Sequence, residues 1–306
     1  MRAKVIKSLL VLLFFCSLSY AAVPDVTYQE DTNLITIKGE LTPNGYGYNL
    51  SANKILRLVT LNWPPYIDES MCNFGWVYQL TVTILVKNDY GVLIEFYPWA
   101  RAIREAELGK ADILFPEYFI ADFELSDNVV NTTRNQLLAL SEAIPGGDLS
   151  LITLKDSNIK YNGSIQSIRD LVIGIIRSYK NTIELDQRIA SNEIASIVVN
   201  NEFQLANLLI NKRADLIVAD LNSLLGNIKK SHLPEQQKQI INSSLVALEP
   251  SLDYKFLHYS VSRQKPNWQK VLNSINEEIT KMSDSGMLEM FIKQKKSECH
   301  NKKTTL

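Results

Sequence analysis

Apolar residues recur along this chain in two alternating rhythms. Short runs dense in aliphatic and β-branched residues cover 55–61, 92–97, 111–115, 171–176, 194–199 and 214–219, and each predicts a strand. Between them, the apolar spacing becomes helical. Val77, Leu80, Ile84 and Leu85 predict a helix over 77–88, and further helices are predicted over 100–108 and 203–211. The tail, 267–294, carries Val271, Ile275 and Ile279 and then Met287, Leu288 and Phe291; Gly286 between the two sets predicts two helices. Punctuation agrees with the rhythm. Pro64-Pro65 stops the first strand, Gly109 suits the left-handed end of the second helix, Pro116 is expected to stop the third strand, and Asn181 with Glu184 resembles a capping box.

Strand, helix, strand, helix, strand implies parallel strands with crossover helices. The unit occurs twice, which predicts an α/β protein of two lobes. In open parallel sheets a ligand sits at the carboxyl ends of the strands. Those ends carry Asn62-Trp63, Phe115-Pro116-Glu117, Arg177-Ser178-Tyr179 and Asp220. Residues 22–54, with Gly39, Pro43, Gly45 and Gly47, read as a hairpin or loose extension ahead of the first lobe.

The first residues change the compartment. Arg2, Lys4 and Lys7 precede an apolar run over 9–15, and Ser19-Tyr20-Ala21 supplies small residues at a cleavage position. That order predicts a signal peptide over 1–21, cut near Ala21, because a spanning helix needs ~20 apolar residues. Cys16 falls within it. Cys72 and Cys299 remain, and an oxidising compartment would let them pair. A formal net charge of -1 argues against nucleic acid as a partner, since phosphate recognition needs a basic face.

Candidate chemistry is that of binding. Trp63, Tyr66 and Trp99 are aromatics on loops or element edges, suited to sandwich a ligand or meet an ammonium when exposed near a cleft, and as readily to pack in the core. Arg134 has the geometry for a carboxylate, and serves equally as a solvated surface arginine. Asp220 suits an ammonium, and equally a helix N-cap. Ser178, Tyr179 and Lys180 precede a helix start that could receive an anion or simply be capped. His232, His258 and His300 stand in unrelated contexts, and the chain has no nucleophile elbow, zinc spacing or glycine-rich phosphate loop. The expectation is a binding protein, not an enzyme, with no cofactor and no metal.

The order of these features resembles the bacterial extracellular solute-binding proteins of family 3. The opening Leu58-Val59-Thr60-Leu61-Asn62-Trp63-Pro64-Pro65-Tyr66, the Phe74-Gly75-Trp76 helix start, Lys110-Ala111-Asp112-Ile113-Leu114, Thr133-Arg134-Asn135-Gln136 and Ala214-Asp215-Leu216-Ile217-Val218-Ala219-Asp220 carry the likeness. The resemblance implies a two-lobed type II periplasmic binding protein fold, each lobe a mainly parallel sheet flanked by helices, joined by two hinge strands. Lobe 1 would comprise 55–147 and 254–298, and lobe 2 would comprise 148–253. It implies a periplasmic protein that captures a small, amino-acid-like ligand for an inner-membrane ABC permease. Arg134 would hold the ligand carboxylate, Asp220 its amino group, and Trp63, Tyr66, Trp99, Glu117 and Tyr179 would line the cleft. A ligand-sensing subunit for a membrane receptor and a dehydratase-like enzyme, with Glu117 as acid or base, are the alternatives. The chain departs from the family between Asp112 and Arg134, where it is longer by about ten residues, a loop-scale insertion. Glu117 stands where a glycine is common, and Arg177-Ser178-Tyr179 replaces a small pair.

Overall fold

The computed structural model describes residues 23–30 and 32–301, with side chains as far as residue 298. The predicted signal peptide lies outside the described residues. The chain opens with two hairpins. Strands β1 (Val26–Glu30) and β2 (Asn33–Ile37) pair only with each other. Strands β3 (Gly39–Thr42) and β4 (Gly45–Tyr48) form the second hairpin.

A repeating α/β unit follows: β5 (Lys54–Thr60), α1 (Trp76–Lys87), β6 (Tyr90–Phe96), α2 (Trp99–Glu107) and β7 (Ile113–Glu117). Strand β5 is parallel to both β6 and β7. The extension is not loose. β4 joins this sheet antiparallel to β6, and a Cβ at Gly45 would stand 2.1 Å from the Ile94 carbonyl oxygen, so only glycine allows the approach. Tyr48 is fully buried, and its hydroxyl donates to the Pro24 carbonyl at 2.8 Å.

A short helix α3 (Arg134–Leu137) leads into β8 (Leu138–Leu140) and the long β9 (Ile144–Leu154). The second α/β unit is β10 (Ile173–Ile176), α4 (Ile183–Ala190), β11 (Ser196–Val199), α5 (Glu202–Ile210) and β12 (Leu216–Ala219), with β10 parallel to β11 and β12. Helices α6 (Leu221–Lys230) and α7 (Glu235–Ser244), then β13 (Leu245–Ala247), lead to β14 (Asp253–Ser262). Helices α8 (Trp268–Asp284) and α9 (Met287–Asn301) close the chain, parted at Gly286, whose φ of 70° suits glycine.

The two units are lobes joined by two strands. β9 and β14 run antiparallel, with Lys255 opposite Gly147 and Tyr254 opposite Asp148. Beyond that crossing, β9 enters the sheet of the second lobe beside β12 and β13, while β14 enters that of the first beside β7 and β8. Lobe 1 holds one large apolar cluster, and lobe 2 holds two, built on β10 and β12.

Two local expectations are corrected. Pro116 does not stop β7. Neighbouring β5 pairs only as far as Leu114, so Pro116 needs no partner on that side, and the strand runs on to Glu117 opposite His258. Glu117 therefore stands on a strand end, not in the inserted loop. Asn181 is not the cap of α4. Thr182 is, its hydroxyl accepting from the Leu185 amide at 3.3 Å, while Asn181 is tied to Asp186. Cys72 is disulfide-bonded. The side chain of Cys299 lies outside the described residues.

Candidate functional site: the cleft between the lobes

After β5 the chain folds back sharply. The Trp63 amide donates to the Ile67 carbonyl at 2.6 Å, and the Ile67 amide returns the bond at 3.1 Å. This turn lays the rings of Trp63 and Tyr66 together, centroids 4.5 Å apart. From there the Tyr66 hydroxyl crosses to the other lobe and donates to Asp220 Oδ2 at 2.5 Å. Asp220 follows β12 and caps α6, its Oδ1 accepting from the amides of Asn222 and Ser223 at 2.8 and 3.1 Å. The N-cap reading of Asp220 holds: one carboxylate oxygen caps the helix, and the other faces the first lobe. Gly147, at the hinge crossing, makes room for the meeting: a Cβ there would stand 2.1 Å from Tyr66 Oη and 2.4 Å from Asp220 Oδ2.

The aromatics expected on loops or element edges are buried, because the lobes meet over them and they pack on one another. Trp63 lies edge-on to Tyr118 at 5.6 Å, and Trp99, the first residue of α2, lies edge-on to Tyr179 of lobe 2 at 6.3 Å. The Tyr179 hydroxyl donates to Glu202 Oε1 at 2.9 Å.

Arg134 opens α3 beneath the capping box of Thr133 and Gln136. It is only 2 % exposed and is flanked by acids. Its Nη2 donates to Glu117 Oε2 at 2.7 Å, and its Nε lies 3.3 Å from Glu107 Oε1. Glu117 Oε1 in turn accepts the Tyr118 amide at 3.0 Å. The guanidinium thus stands behind Glu117.

Two small cavities mark the closed cleft. One, of about 20 Å³, is bordered by Trp63, Trp99, Glu117, Tyr118, Tyr179 and Lys180 among others. The other, of about 10 Å³, is bordered by Trp63, Tyr118, Tyr179, Glu202, Asp220 and Ser223 among others. Of the seven residues singled out from sequence, Trp63, Trp99, Glu117, Tyr179 and Asp220 border these cavities, Tyr66 joins through Asp220, and Arg134 stands one residue back.

Burial lifts the carboxyls of Asp220 and Glu202 above their ordinary range, against the pull of the hydroxyls that donate to them. Burial also lifts Glu117, with Arg134 pulling the other way. The Tyr66, Tyr118 and Tyr179 hydroxyls are pushed well up by burial and by neighbouring carboxylates, so they remain neutral donors.

Sequence reasoning missed Tyr118, Gly147, Glu202 and Ser223. Glu202 had a usable signal, since it follows the end of parallel strand β11 just as Asp220 follows β12. Among the described residues no group of three or more His, Cys, Asp or Glu side chains could hold a metal ion, and no helix is long and apolar enough to cross a membrane.

Solved structures with this architecture share little sequence with the chain. A mutant of ArgBP from T. maritima superimposes with a TM-score of 0.59 at 18 % identity, over 79 % of this chain and 95 % of that one. A histidine kinase sensor domain with similarity to periplasmic binding proteins gives 0.60 at 15 %, over 80 % and 96 %. An arginine 3rd transport system periplasmic binding protein from Legionella pneumophila gives 0.58 at 15 %, over 79 % and 100 %. No family model and no curated protein matches the sequence. The chain has the two-lobed α/β fold of the periplasmic binding proteins.

Proposed function

We propose that this protein captures a small polar, amino-acid-like molecule between its lobes, in the periplasm, and presents it to an ABC permease in the inner membrane. The observation that carries the reading is the hydrogen bond from Tyr66 in lobe 1 to Asp220 in lobe 2, set among the rings of Trp63, Tyr118 and Tyr179. Two strands joining the lobes permit hinge closure, and a ligand that touches both walls stabilises the closed form. The disulfide at Cys72 supports an oxidising compartment. The neighbour named for a transport system supports delivery to a permease.

The reading as a dehydratase has less support. Glu117, its acid or base, has one oxygen held by Arg134 and the other by the Tyr118 amide. A sensing role would use the same closure and differ only in the partner.

A thermal-shift screen of amino acids, small peptides and organic acids tests capture. A ligand that binds the native state at one hundred times its Kd adds about 2.7 kcal/mol of stability and raises the melting temperature. Asp220→Ala removes the shift while the chain stays folded. A ligand that shifts wild type and Asp220→Ala equally would show that it binds elsewhere.

A further inference from the structure

The groups facing the cleft also specify the charge of what enters it. Arg134, the group expected to hold a ligand carboxylate, is already met by Glu117 at 2.7 Å and Glu107 at 3.3 Å. Glu117 stands between the guanidinium and the cavity, so an incoming carboxylate would meet another carboxylate first.

The lobe 2 wall is acidic in the opposite sense. Asp220 and Glu202 both border the smaller cavity, are 4 % and 3 % exposed, and among the described residues neither forms an ion pair. Asp220 meets the neutral hydroxyl of Tyr66 across the cleft, and Glu202 meets that of Tyr179 within lobe 2. The nearby lysines are engaged elsewhere, Lys180 with Glu124 and Lys230 with Asp68. A buried carboxylate lacking a counter-charge is costly, and a cation arriving beside it recovers that cost.

An independent observation marks the same spot. Ser223 is fully buried, borders the same cavity, and its Oγ has no hydrogen-bond partner. A hydroxyl in that condition is suited to accept from an N–H of a ligand. The remaining walls, Trp63, Tyr118 and Tyr179, are π faces and edges of the kind that attract organic cations.

We propose that the cleft selects an organic cation, an amine or guanidine seated on Asp220 and Glu202 with Ser223 as a third acceptor, and that it requires no carboxylate on the ligand. This rests on the capture reading above and narrows its ligand class. The cavity of about 10 Å³ is too small for such a group as it stands, so entry requires the lobes to part and the Tyr66–Asp220 bond to open.

Isothermal titration of the exported chain with agmatine, putrescine, L-arginine, L-glutamine and L-glutamate tests it. Agmatine or putrescine binds within about tenfold of L-arginine or better, and L-glutamine and L-glutamate bind at least about a hundredfold more weakly. Glu202→Gln and Asp220→Asn each weaken agmatine by about tenfold or more, as expected for losing a charged acceptor. Ser223→Ala, which removes one buried hydroxyl, weakens it by about threefold. Unliganded melting curves of each variant separate weak binding from misfolding. Agmatine keeps its charge between about pH 8 and about pH 5, so a fall in its affinity on acidification reports the carboxylates. Tight L-arginine with silent agmatine and putrescine would show that a carboxylate is required and overturn the cation class. So would tight L-glutamine or L-glutamate with silent cations; either result leaves the capture reading standing. Silence from every probe, and from the wider screen above, removes both.

Discussion

Removing the guanidinium of Arg134 leaves Glu107 and Glu117 buried without a counter-charge. Breaking such a buried cluster costs about 3–5 kcal/mol, so Arg134→Ala lowers the denaturant midpoint sharply. Glu202→Gln acts the other way. It removes a buried charge that the unliganded protein keeps at a cost, while the amide still accepts from the Tyr179 hydroxyl, so the variant melts higher than wild type at neutral pH. The sign with pH follows. A carboxyl raised above its unfolded value binds its proton earlier in the folded state, so its destabilising effect is full at neutral pH and fades as pH falls through the raised value. His258, lowered by burial, works in the opposite direction, so the effect is read as a difference between proteins. The melting advantage of Glu202→Gln should shrink as pH falls from neutral through the raised range of this carboxyl. An advantage constant with pH would mean that the carboxyl of Glu202 does not titrate as its burial requires. Residues such as these mark where sequence reading stopped. Asp220 and Glu117 were found because they stand at strand ends, whereas the neutralisation of Arg134 depends on Glu107 and Glu117 meeting it from other elements, a meeting that leaves no local signal.

Among elements, the rhythm of apolar residues foretold β5 to β7, β10 to β12 and their helices to within a few residues. It was silent on α7, which buries none of its residues and so has no apolar stripe to detect. It was also silent on β9 as a strand spanning both lobes, because β9 serves two sheets and follows no single alternation. The inserted loop after β7 was legible as an insertion but not as a contact. It bridges the lobes: Glu124 pairs with Lys180, and Asp127 accepts from the Ser178 hydroxyl at 3.0 Å. The first pair is part-exposed and contributes about 0–1 kcal/mol. Replacing Glu124 and Asp127 together by Ala should therefore speed ligand release by only a few-fold, with the association rate nearly unchanged. Stopped-flow measurement of both rates checks this, and a change confined to association would assign the loop to steering rather than to holding the lobes together.

At the scale of the whole molecule, the hinge sets what closure can gain. Lys230 pairs with Asp68 on one side, the inserted loop meets Lys180 on another, and Tyr66 reaches Asp220 at the centre. The outer contacts serve any closed form, but the central one involves an oxygen that an arriving amine would also seek. On the capture reading Tyr66 is thus a resident rival of the guest, and binding is a displacement, not a simple addition. Tyr66→Phe, which keeps the ring and deletes the rival, should bind a cationic guest about tenfold more tightly or better, since a hydrogen bond to a carboxylate is worth about 1.5–3 kcal/mol. It should also spend less time shut when alone, visible as a larger radius of gyration in solution scattering. Equal affinity and an unchanged radius would mean that the hydroxyl merely fills space. On the capture reading, a cleft built this way trades tightness for quick release of whatever it holds.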